Sequence, residues 1–172
     1  NQLLDSLLTL DQIEFANRHE VTSSDPLYVF QKVKDVLTPR LLTKSLSLKL
    51  IQTDQLRPVL IAEHDFERVL TNVLENAQRY SPAGSVISCQ CSMDGDMAVM
   101  VIEDQGPGIP ETDLPKVTER FYRVDQARTR RKDGGHGLGL AIVKEMLEVH
   151  DGTLELTNLE PQGLSVRITL PV

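Results

Sequence analysis

Near its end the chain alternates strictly, with Leu164, Val166, Ile168 and Leu170 falling between Ser165, Arg167 and Thr169. Successive side chains of a strand point to opposite faces, so this pattern describes a sheet with one apolar and one polar face. Leu154 and Leu156 alternate in the same way with Thr153, Glu155 and Thr157, and Ile87, Cys89, Cys91 and Met93 alternate with Ser88, Gln90 and Ser92. A sheet with one wet face is covered from one side only. The fold class expected is therefore α+β: a two-layer α/β sandwich whose mixed, mostly antiparallel sheet carries helices on a single face.

The covering helices have their own signatures. Phe66, Val69, Leu70, Val73, Leu74 and Ala77 keep i, i+3, i+4 spacing, which predicts a helix over 66–80 stopped by Pro82 and Gly84. A second is expected over 138–149 before Gly152, and a third over 27–44, capped by Asp25 with Pro26 at its start and bent or shortened by Pro39. Residues 47–52 and 59–62 read as strands, and Met97–Ile102 as a central one after an Asp94-Gly95 turn. The stretch 104–136 is irregular, with a short helix expected near 111–117. Leu3, Leu4, Leu7, Leu8 and Leu10 put an apolar stripe on a helix over 1–19, which fits either a helical hairpin or a packed terminal helix.

A net charge of −7 argues against broad nucleic-acid binding, which needs a basic footprint. Cys89 and Cys91 sit two apart on one strand and read as reduced core residues rather than a disulfide or a zinc site. No apolar run approaches the ~18 residues of a membrane span. The chain opens without an initiator Met, so a fragment of a longer protein is expected.

Three places carry chemistry. Asn72, Asn76 and Arg79 stack on one side of the 66–80 helix, with Glu75 beside them. Two carboxamides and a guanidinium on one stripe suit a hard cation and phosphate oxygens; an ordinary solvated helix face is the other reading. Next, Asp104-Gln-Gly-Pro-Gly-Ile109 follows an apolar strand, where a carboxylate accepts a hydrogen bond and glycines admit a ligand close to the backbone; a plain turn is the alternative. Finally, Gly134-Gly-His-Gly-Leu-Gly139 opens a helix, an arrangement in which free N–H groups meet phosphate. Neither a Walker loop nor a dinucleotide fingerprint is present. Before it lie Arg123, Arg128, Arg130, Arg131 and Lys132, a basic island that suits a mobile lid.

In order and spacing these motifs resemble the histidine-kinase branch of the Bergerat ATPase superfamily, shared with gyrase, heat-shock chaperones and mismatch-repair ATPases. Asn72-Val-Leu-Glu-Asn-Ala-Gln-Arg-Tyr-Ser-Pro82 is similar to its asparagine box, Asp104–Ile109 to its first glycine box, Glu119-Arg-Phe-Tyr-Arg-Val-Asp125 to its phenylalanine box, and Gly135-His-Gly-Leu-Gly-Leu-Ala-Ile-Val143 to its second glycine box. Residues 1–20 are similar to the truncated end of the family's dimerisation and phosphoacceptor hairpin, and 21–172 to its catalytic ATP-binding domain.

The resemblance implies ATP and Mg²⁺ as ligands and transfer of the γ-phosphoryl group to a histidine on the hairpin, within a homodimer, for relay to a response-regulator receiver domain. It implies a cytoplasmic domain, and leaves open whether the full-length protein is anchored in the inner membrane. Asn76 would bind the metal with Asn72 beside it, and Arg79 the phosphates. Tyr80 would stack near adenine, Asp104 would take its amino group, and Gly106, Gly108 and Ile109 would pass the base. Gly135, His136, Gly137, Leu138 and Gly139 would cradle the phosphates, His136 either touching them or standing exposed. Arg123, reaching the γ-phosphate, and Glu75 would form the catalytic set.

Thr118 departs from the aromatic that often opens the phenylalanine box. Hydrolytic relatives place a water-activating Glu where Asn72 stands, which favours transfer over hydrolysis. His19-Glu20 and His64-Asp65 lack acceptor-like surroundings; Asp65 instead reads as a helix N-cap, and His150 closes a helix. A gyrase-like ATPase and a nucleotide-binding regulatory module without transfer activity remain the alternatives.

Overall fold

A computed structural model of the chain describes residues 22–124 and 137–172. The leucine stripe of 1–19, His19, Arg128, Arg130, Arg131, Lys132, Gly135 and His136 lie outside the described residues, as does most of the expected lid.

The described chain runs α1 (Pro26–Thr43), β1 (Ser47–Gln52), α2 (Glu63–Tyr80), β2 (Val86–Asp94), β3 (Met97–Glu103), α3 (Gly139–Val149), β4 (Thr153–Asn158) and β5 (Leu164–Pro171). The strands form one sheet in the order β1-β2-β3-β5-β4. Only β1 and β2 pair parallel, with α2 crossing between them; the other pairs are antiparallel. Register carries one apolar row across the sheet, from Leu156 through Val166 and Ile102 to Cys89. These rows and the three helices share one core. The two-layer α+β sandwich expected from strand alternation is the fold found.

α2 is central, packing against both α1 and α3. Its Phe66, Val69, Leu70, Val73 and Leu74 are essentially inaccessible to water, each worth about 1.5–3 kcal/mol of burial. Cys89 and Cys91 are buried free thiols with sulfurs 3.9 Å apart, as core residues should be. Among the described residues no helix is long and apolar enough to cross a membrane.

α1 spans Pro26–Thr43, close to the expected 27–44, and runs past Pro39 because Leu37 and Leu41, on either side of the proline, are both buried and hold the helix on the core. Three local expectations need correction. Residues 59–62 make no strand: Val59 forms one isolated antiparallel bridge with Ser24, and Leu60 donates to the Pro171 carbonyl. α2 starts at Glu63, so Asp65 lies in its first turn rather than at its cap; Ala62 holds the cap position without a side-chain bond. Asp65 instead faces His64 at 3.2 Å and His150 at 3.7 Å. Around 111–117 there are successive turns anchored on the Pro110 and Asp113 carbonyls, not a helix. Pro115 lacks an N–H and disfavours helical backbone at Leu114, which breaks the run.

Candidate functional site

A cavity of about 490 Å³ opens between α2, the N-terminus of α3 and the segment that follows β3, a volume within the usual range for small-molecule sites. One wall is the polar stripe of α2. Asn72, Glu75, Asn76, Arg79 and Tyr80 all reach it, because their positions share the side of the helix opposite the buried leucines. Asn72 spends its Nδ2 on the Arg68 carbonyl at 2.8 Å, which leaves its Oδ1 facing α3.

α3 meets that stripe end-on. A Cβ at Gly139 would stand 3.1 Å from Asn72 Oδ1 and 3.8 Å from Asn76 Nδ2, so a glycine there lets the helix start come close to both amides. The cap position, Leu138, is buried and supplies no side-chain hydrogen bond. The first-turn N–H groups of α3 are therefore not capped by their own N-terminal side chain, and the positive end of the helix dipole looks into the cavity. Gly137 completes the approach at a φ of +71°, its carbonyl accepting from the Phe121 N–H at 2.9 Å. This brings Tyr122, Arg123 and Val124 to the cavity beside Leu138 and Gly139. Arg120, just before them, grips Glu145 of α3 through two hydrogen bonds of 2.8 and 3.0 Å.

The far end holds Asp104, which is buried where β3 ends. Its Oδ1 accepts the Gly106 N–H at 2.7 Å. Burial pushes its carboxyl above the ordinary aspartate range, against the pull of the Gly106 and Leu164 backbone. Gly106 itself is buried behind the cavity rather than on its wall: a Cβ there would meet Asp104 Oδ1 at 2.8 Å and the Tyr80 carbonyl at 3.1 Å. Pro107, Gly108 and Ile109 do line the cavity. Tyr80 stands largely exposed at the rim.

The structure thus assembles Asn72, Glu75, Asn76, Arg79, Tyr80, Asp104, Gly108, Ile109, Arg123, Gly137, Leu138 and Gly139 around one cavity. Glu75 has a partner the sequence did not suggest, an ion pair with Arg40 of α1. Sequence reasoning also missed Lys44, which grips the end of α2, and Asn158, which binds the Ile109 backbone. Neither sits in a glycine-rich or periodic motif, so no local signal pointed to them.

The family model for histidine kinase-, DNA gyrase B- and HSP90-like ATPases matches residues 61–172. The sensor histidine kinase WalK of Bacillus subtilis is 42% identical over 113 residues, 64% of this chain and 18% of the relative. The sensor protein kinase WalK of Staphylococcus saprophyticus is 36% identical over 157 residues, 90% of this chain and 22% of the relative. The chain thus spans about a fifth of the length of these curated relatives. Among solved structures, the mycobacterial sensor histidine kinase MprB superposes with a TM-score of 0.75 at 31% identity, covering 87% of this chain and 97% of that one. With well over half of its residues matched by the family model, the chain belongs to the histidine kinase-, DNA gyrase B- and HSP90-like ATPase family.

Proposed function

We propose that this domain binds Mg-ATP in the cleft between α2 and α3 and is the phosphoryl-donor half of a two-component sensor histidine kinase. One observation carries the reading. An α3 N-terminus without a side-chain cap faces the Asn72 and Asn76 amides at one end of the cavity, and buried Asp104 stands at the other. Phosphates suit the first end and a hydrogen-bond donor such as the adenine amino group suits the second.

The donor set fits a hard cation. Carboxamide oxygens are suitable Mg²⁺ ligands, and this ion needs only one or two from the protein beside phosphate and water. Asn76 would hold it with Asn72 adjacent, and the ion would offset negative charge on the phosphates. Arg79 and Arg123 would bind phosphate oxygens, with Arg123 acting at the transferring group. Tyr80 would cover the base, and Gly108 and Ile109 would flank it. Asn72 supports transfer rather than hydrolysis, because a carboxamide takes no proton from water at neutral pH.

The acceptor imidazole would come from the dimerisation hairpin, in a homodimer. A response-regulator receiver domain would take the phosphoryl group next. The domain would work in the cytoplasm, with the full-length protein anchored in the inner membrane.

Calorimetric titration tests the site. Asn76→Ala should weaken Mg-dependent ATP binding about tenfold or more, and Asp104→Ala should weaken ATP and ADP alike. Unchanged affinity in both variants would overturn the assignment.

A further inference from the structure

Asn158 ends edge strand β4, distant along the chain from every glycine-rich motif, and its side chain makes three hydrogen bonds. Its Oδ1 accepts the Ile109 N–H at 2.8 Å, and its Nδ2 donates to the Ile109 carbonyl at 2.6 Å and to Glu111 Oε1 at 2.9 Å. One carboxamide thus engages both backbone groups of a single residue, as a neighbouring strand would. Ile109 lies between Gly108 and Pro110, in a segment that pairs with no strand. Without Asn158 its half-buried N–H and C=O would lose these partners.

The fit is close. Gly108 adopts a φ of +72°, and a Cβ there would stand 2.7 Å from Asn158 Oδ1. The β4–β5 hairpin grips the same loop twice more: the Asp104 N–H donates to the Leu164 carbonyl at 3.0 Å, and Gln162 Nε2 to the Gln105 carbonyl at 3.3 Å. Gly108, Ile109 and Leu164 all line the cavity at its Asp104 end. Asn158 is not among the lining residues, so it acts on a ligand only through the Gly108–Ile109 backbone.

We infer that Asn158 is a positioning residue for nucleotide recognition: its carboxamide fixes the height of the Gly108–Ile109 backbone over the base end of the site. The inference rests on the nucleotide reading above. Its effect belongs to the base and not to the phosphates, so ADP and ATP should lose affinity together.

The test uses the 172-residue chain. Asn158→Ala should weaken ADP and ATP by about tenfold each, with inorganic tripolyphosphate binding unchanged. Asn158→Asp adds a readout that a purely structural role would not give. At neutral pH its carboxylate can accept from the Ile109 N–H but cannot donate to the carbonyl, and it repels Glu111. On acidification it regains a proton and a donor. The ratio of variant to wild-type ADP affinity should therefore recover as pH falls, and Glu111→Gln should lessen the defect at neutral pH. Taking the ratio cancels any titration of Asp104 itself. If Asn158→Ala folds poorly, the change in Asn158→Asp between neutral and low pH answers the same question. Wild-type ADP affinity in Asn158→Ala, or an Asn158→Asp defect that ignores pH and Glu111, would overturn the inference. Failure of the wild-type chain to bind ADP would instead overturn the nucleotide reading.

Discussion

The Lys44 ammonium stands 2.8 Å from the Gln78 carbonyl oxygen and so joins the end of α1 to the end of α2. It donates also to the carbonyls of Arg79 at 2.9 Å and Ser81 at 3.0 Å. These are carbonyls at the helix end, which has few intrahelical donors left, and a cation suits that end of the dipole. Lys44→Met keeps the aliphatic stem and removes all three bonds. The expected cost is about 2 kcal/mol of stability, read as a lower denaturant midpoint. ATP affinity should fall several-fold as well, because Arg79 and Tyr80 occupy this end. An unchanged midpoint would contradict the role.

Asp104 predicts a trade between stability and binding. Burial raises its folded pKa above the unfolded value. The folded state therefore favours the protonated form, and this stability is lost as pH rises through the raised value. At neutral pH the Asp104 charge destabilises the ligand-free domain. Asp104→Asn should raise the melting temperature at pH 7, with the gain shrinking as pH falls through the raised value and gone by the ordinary aspartate pKa of about 4. It should also weaken ATP by roughly 10- to 100-fold, since the amide can present an N–H to the adenine amino group. Melting curves across pH and an ATP titration check both halves; a destabilised Asn variant with normal ATP affinity would contradict them.

Glu75 reaches the cavity and also pairs with Arg40. The pair is partly exposed, so breaking it should cost at most about 1 kcal/mol. If Glu75 acts at the reacting phosphate, Glu75→Gln should slow phosphoryl transfer at least tenfold while ATP affinity stays within about twofold. Arg40→Ala should cost a similar small amount of stability and change the transfer rate less. Single-turnover transfer rates separate the two roles; equal rates in Glu75→Gln and wild type would leave Glu75 with only its ion pair.

Much of this was legible in the sequence for a physical reason. Periodicity reports burial, so the alternation around Val166 and Ile168 and the stripe of Phe66 to Ala77 gave the sandwich and its central helix. Residue type at a fixed spacing reports a helix face, so Asn72, Asn76 and Arg79 could be placed on one wall. What sequence did not give depends on contacts distant along the chain. Lys44 reaches α2, Arg40 reaches Glu75, and Asn158 reaches Ile109, each through tertiary geometry that no local pattern encodes. Gly106 shows the same limit: its glycine requirement was visible, but not that it backs the Asp104 carboxylate instead of lining the cavity. Where boundaries slipped, at Glu63 and Val59, docking against the core outweighed local capping and strand preference.

Phosphoryl transfer to an added acceptor tests the central claim most directly. The 172-residue chain is incubated with γ-labelled Mg-ATP and a separately supplied dimerisation hairpin bearing the acceptor histidine. The account predicts acid-labile label on that hairpin, formed slowly because the two pieces lack the effective concentration of a covalent link. It also predicts that Arg123→Ala slows transfer more than it weakens ATP binding. Label on His19 or His64 of the chain itself, or no transfer despite measurable ATP binding, would contradict it.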